Sequence, residues 1–220
     1  MTKQPYDRRL DSKNIVSLHG DAFQSRKAVL SQLFDYWEAL RDGRDAPRRA
    51  EIDPRKIKDV LPFVFIAELT RFGGTRFRLA GSEVIDLMCM ELRGMQLSAL
   101  FHPEARPMLD HIIGEIYEDG ALYRLDLTTE QAGYRMVKGQ MILLPLRDDA
   151  DRTSRILGGV TLDRELLRPP VSFEIRNAVK NRIVIDEPQD LRAAGMAEAT
   201  ASFQRPPRGS RLSLVVDNSG

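Results

Sequence analysis

The chain has 220 residues, of which 42% are hydrophobic and 30% are charged. These proportions are typical of a soluble globular protein, and the length suits one domain with extensions. The 33 basic and 32 acidic residues give a net charge of +1, which argues against the basic surface of a nucleic-acid-binding protein. One cysteine, Cys89, excludes an intramolecular disulfide and a multi-cysteine zinc site.

The distribution of apolar residues indicates the cellular compartment of the protein. The first residues lack the apolar core and small-residue cleavage site of a signal peptide, and no run of about 18 apolar residues occurs. We therefore expect a cytoplasmic protein without membrane insertion, and the single cysteine agrees with a reducing compartment.

The N-terminal part divides into a tail and a helix. Residues 1–21 are polar without hydrophobic periodicity, so we expect a flexible tail. From Phe23 onward, apolar residues recur at the spacing of an amphipathic helix, which Gly43 and Pro47 end. The stripe on this helix consists of Leu30, Leu33, Phe34, Trp37 and Leu40.

The middle of the chain predicts two strands, a helical segment and three further strands. The first two strands, 63–69 and 75–81, flank a turn at Gly73 and Gly74. Alternation in the second strand puts Phe77 and Leu79 on one face. Two helices follow at 82–88 and 104–119, and the three later strands span 121–129, 135–148 and 155–163. Beyond Pro169 the composition shifts, so we expect 169–220 to be a loosely ordered extension.

Short motifs between residues 36 and 97 resemble those of one bacterial PAS-domain subfamily. That subfamily has a tryptophan-containing helix, an LRxGR turn, a PxR, an IDP, an RxRLxG strand end and a GxxL loop. They stand here as Tyr36-Trp37 and as residues 40–44, 47–49, 52–54, 76–81 and 94–97. Ser82 replaces the usual threonine after the strand-end glycine. The resemblance covers about residues 24–163.

The resemblance implies an α+β PAS fold, with a five-stranded antiparallel sheet, inserted helices and an N-terminal cap helix, over residues 22–168. It also implies a sensory or interaction module of bacterial two-component or cyclic-dinucleotide signalling. Since no kinase, cyclase or DNA-binding pattern is visible, such a module would act on kinases or cyclases as separate partners.

PAS folds hold ligands between the sheet and the inserted helices, which implies a possible pocket for a small apolar ligand. Its candidate lining is Phe77, Leu79, Leu87, Met88, Ile112, Ile116, Tyr123 and Leu125. Because packed interiors leave few voids, the alternative that these side chains simply fill the core is favoured. The cap helix often forms dimers in PAS domains, so we also predict a homodimer. Its candidate interface is Leu33, Phe34, Trp37 and Leu40.

Arginines follow the cap helix. Arg44 and Arg48 have the RxxxR spacing with which PilZ domains bind cyclic diguanylate, and with Arg49 they form a candidate surface for an anion or an acidic partner. The PilZ companion motif D-x-S-x-x-G is absent, which favours the alternative that these arginines solvate a linker and pair with nearby acids.

Haem and flavin are the PAS cofactors to consider, and the sequence disfavours both. A haem needs an axial ligand, but helical periodicity turns His111 toward water, while His102 begins a helix and His19 lies in the tail. Cys89 lacks the Asn, Arg and Gln of the light-sensing NCRFLQ motif, so a small buried residue is the better interpretation.

The sequence contains no G-x-S-x-G, HExxH or Walker motif, so we predict no catalytic residues, no metal site and no enzyme activity. Three hypotheses remain: a regulator acting by protein contact, a small-molecule receptor, and, as a remote third, an isomerase- or dehydratase-like α+β barrel.

Overall fold

The computed structural model describes residues 18–71, 73–131, 135–163 and 169–181. Three helices are α1 (Leu18–Arg41), α2 (Ser82–Asp86) and α3 (Arg106–Asp119). The strands are β1 (Val64–Leu69), β2 (Thr75–Ala80), β3 (Leu122–Gln131), β4 (Arg135–Arg147), β5 (Thr153–Leu162) and β6 (Glu174–Asn181). One antiparallel sheet has the order β2-β1-β5-β4-β3-β6. The predicted α+β class and the first five strands are confirmed.

The predicted number of strands is wrong, because the sheet has six strands where five were expected. The added strand, β6, lies in the segment that we expected to be loosely ordered, and it pairs antiparallel with β3. Lys180 on β6 forms ion pairs with Glu115 and Asp119 of α3, at 2.9 and 3.0 Å. Hydrogen bonds from Lys180 to these carboxylates raise the pKa of its ammonium group. The predicted tail falls outside the described residues up to position 17, but residues 18–21 belong to α1, so the prediction of a tail is wrong for them. The extension from 182 to 220 also falls outside the described residues.

The sheet buries apolar residues on both faces. The inner face packs against α2, α3 and the short 3-10 helix Leu97–Leu100, around residues such as Phe65, Phe77 and Ile116. The outer face packs against α1, around Leu33, Trp37 and residues of β4 and β5. On α3, the buried residues Leu109, Ile112, Ile113 and Ile116 form one apolar stripe.

A β-bulge in the β1–β2 pair explains the second correction. The register runs from Ile66↔Leu79 to Ala67↔Phe77, so Arg78 is an extra residue. An extra residue breaks the alternation of faces, and Leu79 is therefore 54% exposed instead of packing beside Phe77 in the inner core.

Two glycines of β5 leave room for large side chains, one on each face of the sheet. A Cβ on Gly158 would lie 2.0 Å from Phe65 Cζ on the inner face, and one on Gly159 would lie 2.7 Å from Leu33 Cδ2 of α1. These distances are far below van der Waals contact, so a side chain at either position would displace its neighbour.

We predict that Gly158→Ala lowers the free energy of unfolding by about 1–3 kcal/mol, because its methyl group overpacks the inner core. Urea denaturation followed by circular dichroism measures this change. The matched control is Gly114→Ala in α3, where an added Cβ meets open space and the variant should gain about 0.5–1 kcal/mol. An unchanged midpoint for Gly158→Ala would show that Phe65 does not pack against β5 as described.

Candidate functional site

The predicted ligand-pocket residues lie mainly in the inner core. Six of the eight are each at most 5% exposed and belong to one packed cluster: Phe77, Leu87, Ile112, Ile116, Tyr123 and Leu125. Met88 is partly buried against the same cluster, and Leu79 is exposed on the outer face. The six side chains thus contact one another as core residues.

The predicted dimer-interface residues divide into two groups. Leu33 and Trp37 are fully buried against the sheet of their own chain. They cannot form a partner surface in this arrangement, so that part of the prediction is wrong. Phe34 and Leu40 remain partly exposed. Phe34 is covered by the guanidinium of Arg124, whose Cζ lies 5.0 Å from the ring centroid.

The arginine-rich stretch forms the link from α1 to the sheet. Arg44 donates to the carbonyls of Arg41 and Leu40 at 2.9 and 2.7 Å, satisfying acceptors at the end of α1. It also pairs with Glu51 at 3.0 Å. Arg48 pairs with Asp151 of the β4–β5 turn at 3.3 Å, and Arg49 begins a short 3-10 turn.

The same link is attached to the β4–β5 turn. Arg147 at the end of β4 pairs with Asp45 of the link and, at 2.6 Å, with Asp151. The backbone N–H of Arg147 donates to the Pro47 carbonyl at 3.0 Å. Partners of Arg44 and Arg48 within the chain favour the linker interpretation over an anion site.

The histidines and Cys89 occupy separate positions. The His111 side chain is 75% exposed, as helical periodicity predicts, and its Nε2 lies 3.9 Å from Glu115 Oε1. His102 precedes the short 3-10 helix at Pro103, and His19 lies within α1. The prediction that Cys89 is buried is wrong, because Cys89 is exposed after α2, and its Sγ lies 3.8 Å from the Asp86 carbonyl. Among the described residues, no group of three His, Cys, Asp or Glu side chains could hold a metal ion.

A groove of about 630 Å³ runs beside α3, at the turn end of the β1–β2 hairpin. We call it the α3 groove. Its lining comes from three places: Leu69, Gly74 and Thr75 of the hairpin; Gln96 and Ser98; and Arg106, Asp110, Ile113, Gly114, Tyr117 and Glu118. None of these residues is among the eight predicted pocket residues.

The Tyr117 hydroxyl lies in the α3 groove, 3.2 Å from Thr75 Oγ1. Burial raises the pKa of Tyr117 to about 12, although the bond to Thr75 acts in the opposite direction. The phenol therefore stays neutral at physiological pH. This groove could not be predicted from the sequence because its residues come from separate elements, and only Gly114, a glycine inside a predicted helix, is a local signal.

Comparison with known proteins assigns the family. The family model described as the PAS domain matches residues 25–161, which is more than half of the chain. The chain therefore belongs to the PAS domain family and has the α+β PAS fold, a class of sensory domains. The comparison with curated proteins found no match.

Solved structures with similarity to this chain include light-oxygen-voltage domains. One, studied with a flavin analogue, is 16% identical with a TM-score of 0.40, covering 50% of this chain and 84% of that one. The dark structure of the blue-light photoreceptor Aureochrome1 LOV is 14% identical with a TM-score of 0.38, covering 48% and 78%. An RNA-binding light-oxygen-voltage receptor is 11% identical with a TM-score of 0.37, covering 71% of this chain and 42% of the receptor.

In the part of the chain that the structure describes, no helix is both long and apolar enough to cross a bilayer.

Glu51 provides a test of the link. Hydrogen bonds from the Arg44 side chain and the Arg48 backbone lower the pKa of the Glu51 carboxyl. A lowered folded-state pKa stabilises the protein above the ordinary glutamate pKa, and this contribution is lost as pH falls through the lowered value.

We predict that Glu51→Gln is less stable than the parent at pH 7, by at most about 1 kcal/mol because the pair is exposed. The difference should shrink steadily below pH 4.5. Urea unfolding at several pH values measures it, with Glu130→Gln at an exposed position of β3 as the control. A difference that persists unchanged at pH 3 would contradict the assigned contacts.

Proposed function

We propose that this PAS domain is a non-enzymatic regulator of bacterial signal transduction that acts by contact with other proteins. The observation that supports it most is a patch on the outer face, where Phe34 of α1 contacts Arg124 of β3 beside the edge strand β6. We call it the α1–β6 patch: Phe34, Arg124 and Val179. Arg124 lies over the Phe34 ring, and Val179 is its register partner on β6.

The α1–β6 patch has the chemistry of a contact surface. Val179 is 45% exposed in a strand at the edge of the sheet. An arginine stacked on an aromatic ring presents a flat cation whose hydration is already reduced, and arginine and aromatic residues are enriched in interface hot spots. Of the residues predicted to form the dimer interface, the patch includes Phe34. It does not include Leu33 and Trp37, which are buried.

The receptor alternative is less well supported for the predicted pocket. Six of its candidate residues are tightly packed against one another, and protein interiors leave few voids large enough for a ligand. A ligand between sheet and helices would have to displace these side chains, whereas a partner on the α1–β6 patch would cover surface that is already exposed.

We predict that the chain forms a homodimer at high micromolar concentration through the α1–β6 patch, and that Val179→Asp makes it a monomer because association would remove a charged carboxylate from water in place of an apolar side chain. Leu79→Asp is the matched control, since Leu79 is also exposed on the outer face but near the opposite edge of the sheet. Light scattering coupled to size exclusion measures the masses. A monomeric parent would refute the homodimer, and a dimeric Val179→Asp variant would refute the assigned surface.

Regulation by contact is tested with a photo-crosslinking amino acid placed at Val179, and at Leu79 as the control, in the encoding bacterium. The proposal predicts crosslinks from position 179 to a kinase, a cyclase or another signalling protein, and their loss from position 79. Identical products from both positions, or crosslinks only to unrelated abundant proteins, would count against it.

A further inference from the structure

The last strand of the sheet, β6, lies outside residues 25–161, which match the PAS domain. It pairs with the edge of β3 that the other strands leave open. Backbone groups at an open sheet edge can pair with an additional strand. In this structure, β6 is therefore a segment of the same chain that occupies a strand-binding edge of the PAS sheet.

The chain is held firmly before β6 and loosely along it. Phe173, directly before the strand, is fully buried, and its backbone N–H donates to the Leu100 carbonyl at 2.8 Å. By contrast, none of the eight residues of β6 is buried, and Ile175 and Ala178 pack only partly against the inner core. Few buried contacts and exposed backbone hydrogen bonds are typical of segments that open locally. We therefore expect β6 to separate from β3 while Phe173 stays in place.

The end of β6 is held by charge. The Lys180 ammonium lies 2.9 Å from Glu115 Oε1 and 3.0 Å from Asp119 Oδ2. These carboxylates are one turn apart on α3, so one cation contacts both. Glu115 also accepts a hydrogen bond from the Tyr123 hydroxyl of β3, which fixes the carboxylate beside the strand edge. When β6 separates, two carboxylates remain at this edge without the Lys180 ammonium, and they favour a strand that brings another cation.

We propose that β6 is an autoinhibitory strand, and that the β3 edge beneath it binds an extended segment of a partner protein whose lysine or arginine replaces Lys180 between Glu115 and Asp119. The partner's backbone pairs with residues 122–126, which β6 covers beyond its bulge. Such a partner belongs to the regulation by contact proposed above, on which this inference rests; the strand-binding edge itself is tested independently with a peptide. When β6 separates, Val179 also leaves the α1–β6 patch, so the two contact surfaces exclude each other.

Hydrogen exchange of the full chain, followed by nuclear magnetic resonance, tests whether β6 opens by itself. The β3 amides that donate to β6 should exchange at least about tenfold faster than the slowest amides of β4 and β5. Lys180→Met should accelerate this exchange about fivefold further, as expected for the loss of two exposed ion pairs, without affecting β4 and β5. Equal protection of these amides in β3, β4 and β5 of the parent would show that β6 does not open locally and would overturn the proposal.

A peptide with the sequence of β6, Glu174–Asn181, tests the edge itself, since the structure shows that this sequence fits β3. It should bind Lys180→Met saturably and shift the resonances of residues 122–126. Binding to the parent should be at least about fivefold weaker, because the parent's own β6 occupies the edge. A peptide with Lys180→Glu should bind the Lys180→Met protein about fivefold more weakly than the native peptide does.

Two control variants separate the latch from general charge effects. Lys180→Arg keeps the cation, and Lys58→Met removes an exposed lysine elsewhere; both should bind the peptide like the parent, and circular dichroism checks that each variant is folded. No peptide binding to folded Lys180→Met, equal binding to the parent, or equal binding of the charge-reversed peptide would each overturn the proposal. Peptide binding without crosslinks from position 179 would support the strand-binding edge and reject the α1–β6 patch as a partner surface, so the two failures are distinguishable.

Discussion

The indole of Trp37 holds α1 to the sheet, and the outer half of the structure depends on this contact. Its Nε1–H donates to the carbonyl oxygen of Pro145 at 2.9 Å in a buried position. The β3–β4 ladder ends at Tyr123↔Leu143, so Pro145 lies two residues beyond it. A buried carbonyl without a donor would cost about 1–3 kcal/mol. The indole therefore satisfies a backbone group that no neighbouring residue of β3 reaches, and it fixes the position of the helix that covers the outer core.

The motifs that resemble the PAS subfamily have structural roles around this contact. The Tyr36 hydroxyl accepts from the Asp53 backbone N–H at 2.7 Å, while Asp53 Oδ1 accepts from the Arg55 N–H at 3.0 Å and begins the turn at Pro54. At the strand end, a Cβ on Gly81 would lie 2.1 Å from the Leu61 carbonyl oxygen. The arginines between these points satisfy helix carbonyls and pair with acids. Since structure alone accounts for these residues, the proposed regulatory contacts are better sought on the α1–β6 patch.

Sequence predicted the elements whose patterning is local. The stripe of α3 and its end at Gly120, a residue in the left-handed conformation, follow from spacing and from the freedom of glycine. The bulge at Arg78 could not be predicted, because alternation in β2 alone gives no sign of an extra residue. The sixth strand was not predicted because it contains a second bulge. The β3–β6 register runs from Asp126↔Asn177 to Leu127↔Ile175, so Arg176 is an extra residue that interrupts the alternation of faces along β6. The sequence does not show what covers Leu33 and Trp37, since an apolar stripe can pack equally well against a sheet of the same chain or against a second chain. Only the three-dimensional arrangement decides between the two.

Hydrogen exchange of the Trp37 indole N–H tests the central claim most directly, namely that α1 closes the outer face of its own sheet. Trp37 is the only tryptophan in the chain, so its indole resonance is unambiguous. The account predicts exchange only through global unfolding, with protection equal to that of the slowest amides in β4 and β5. Exchange within seconds under native conditions, while those strand amides stay protected, would show that the indole is not bonded to Pro145 and that α1 does not close this face.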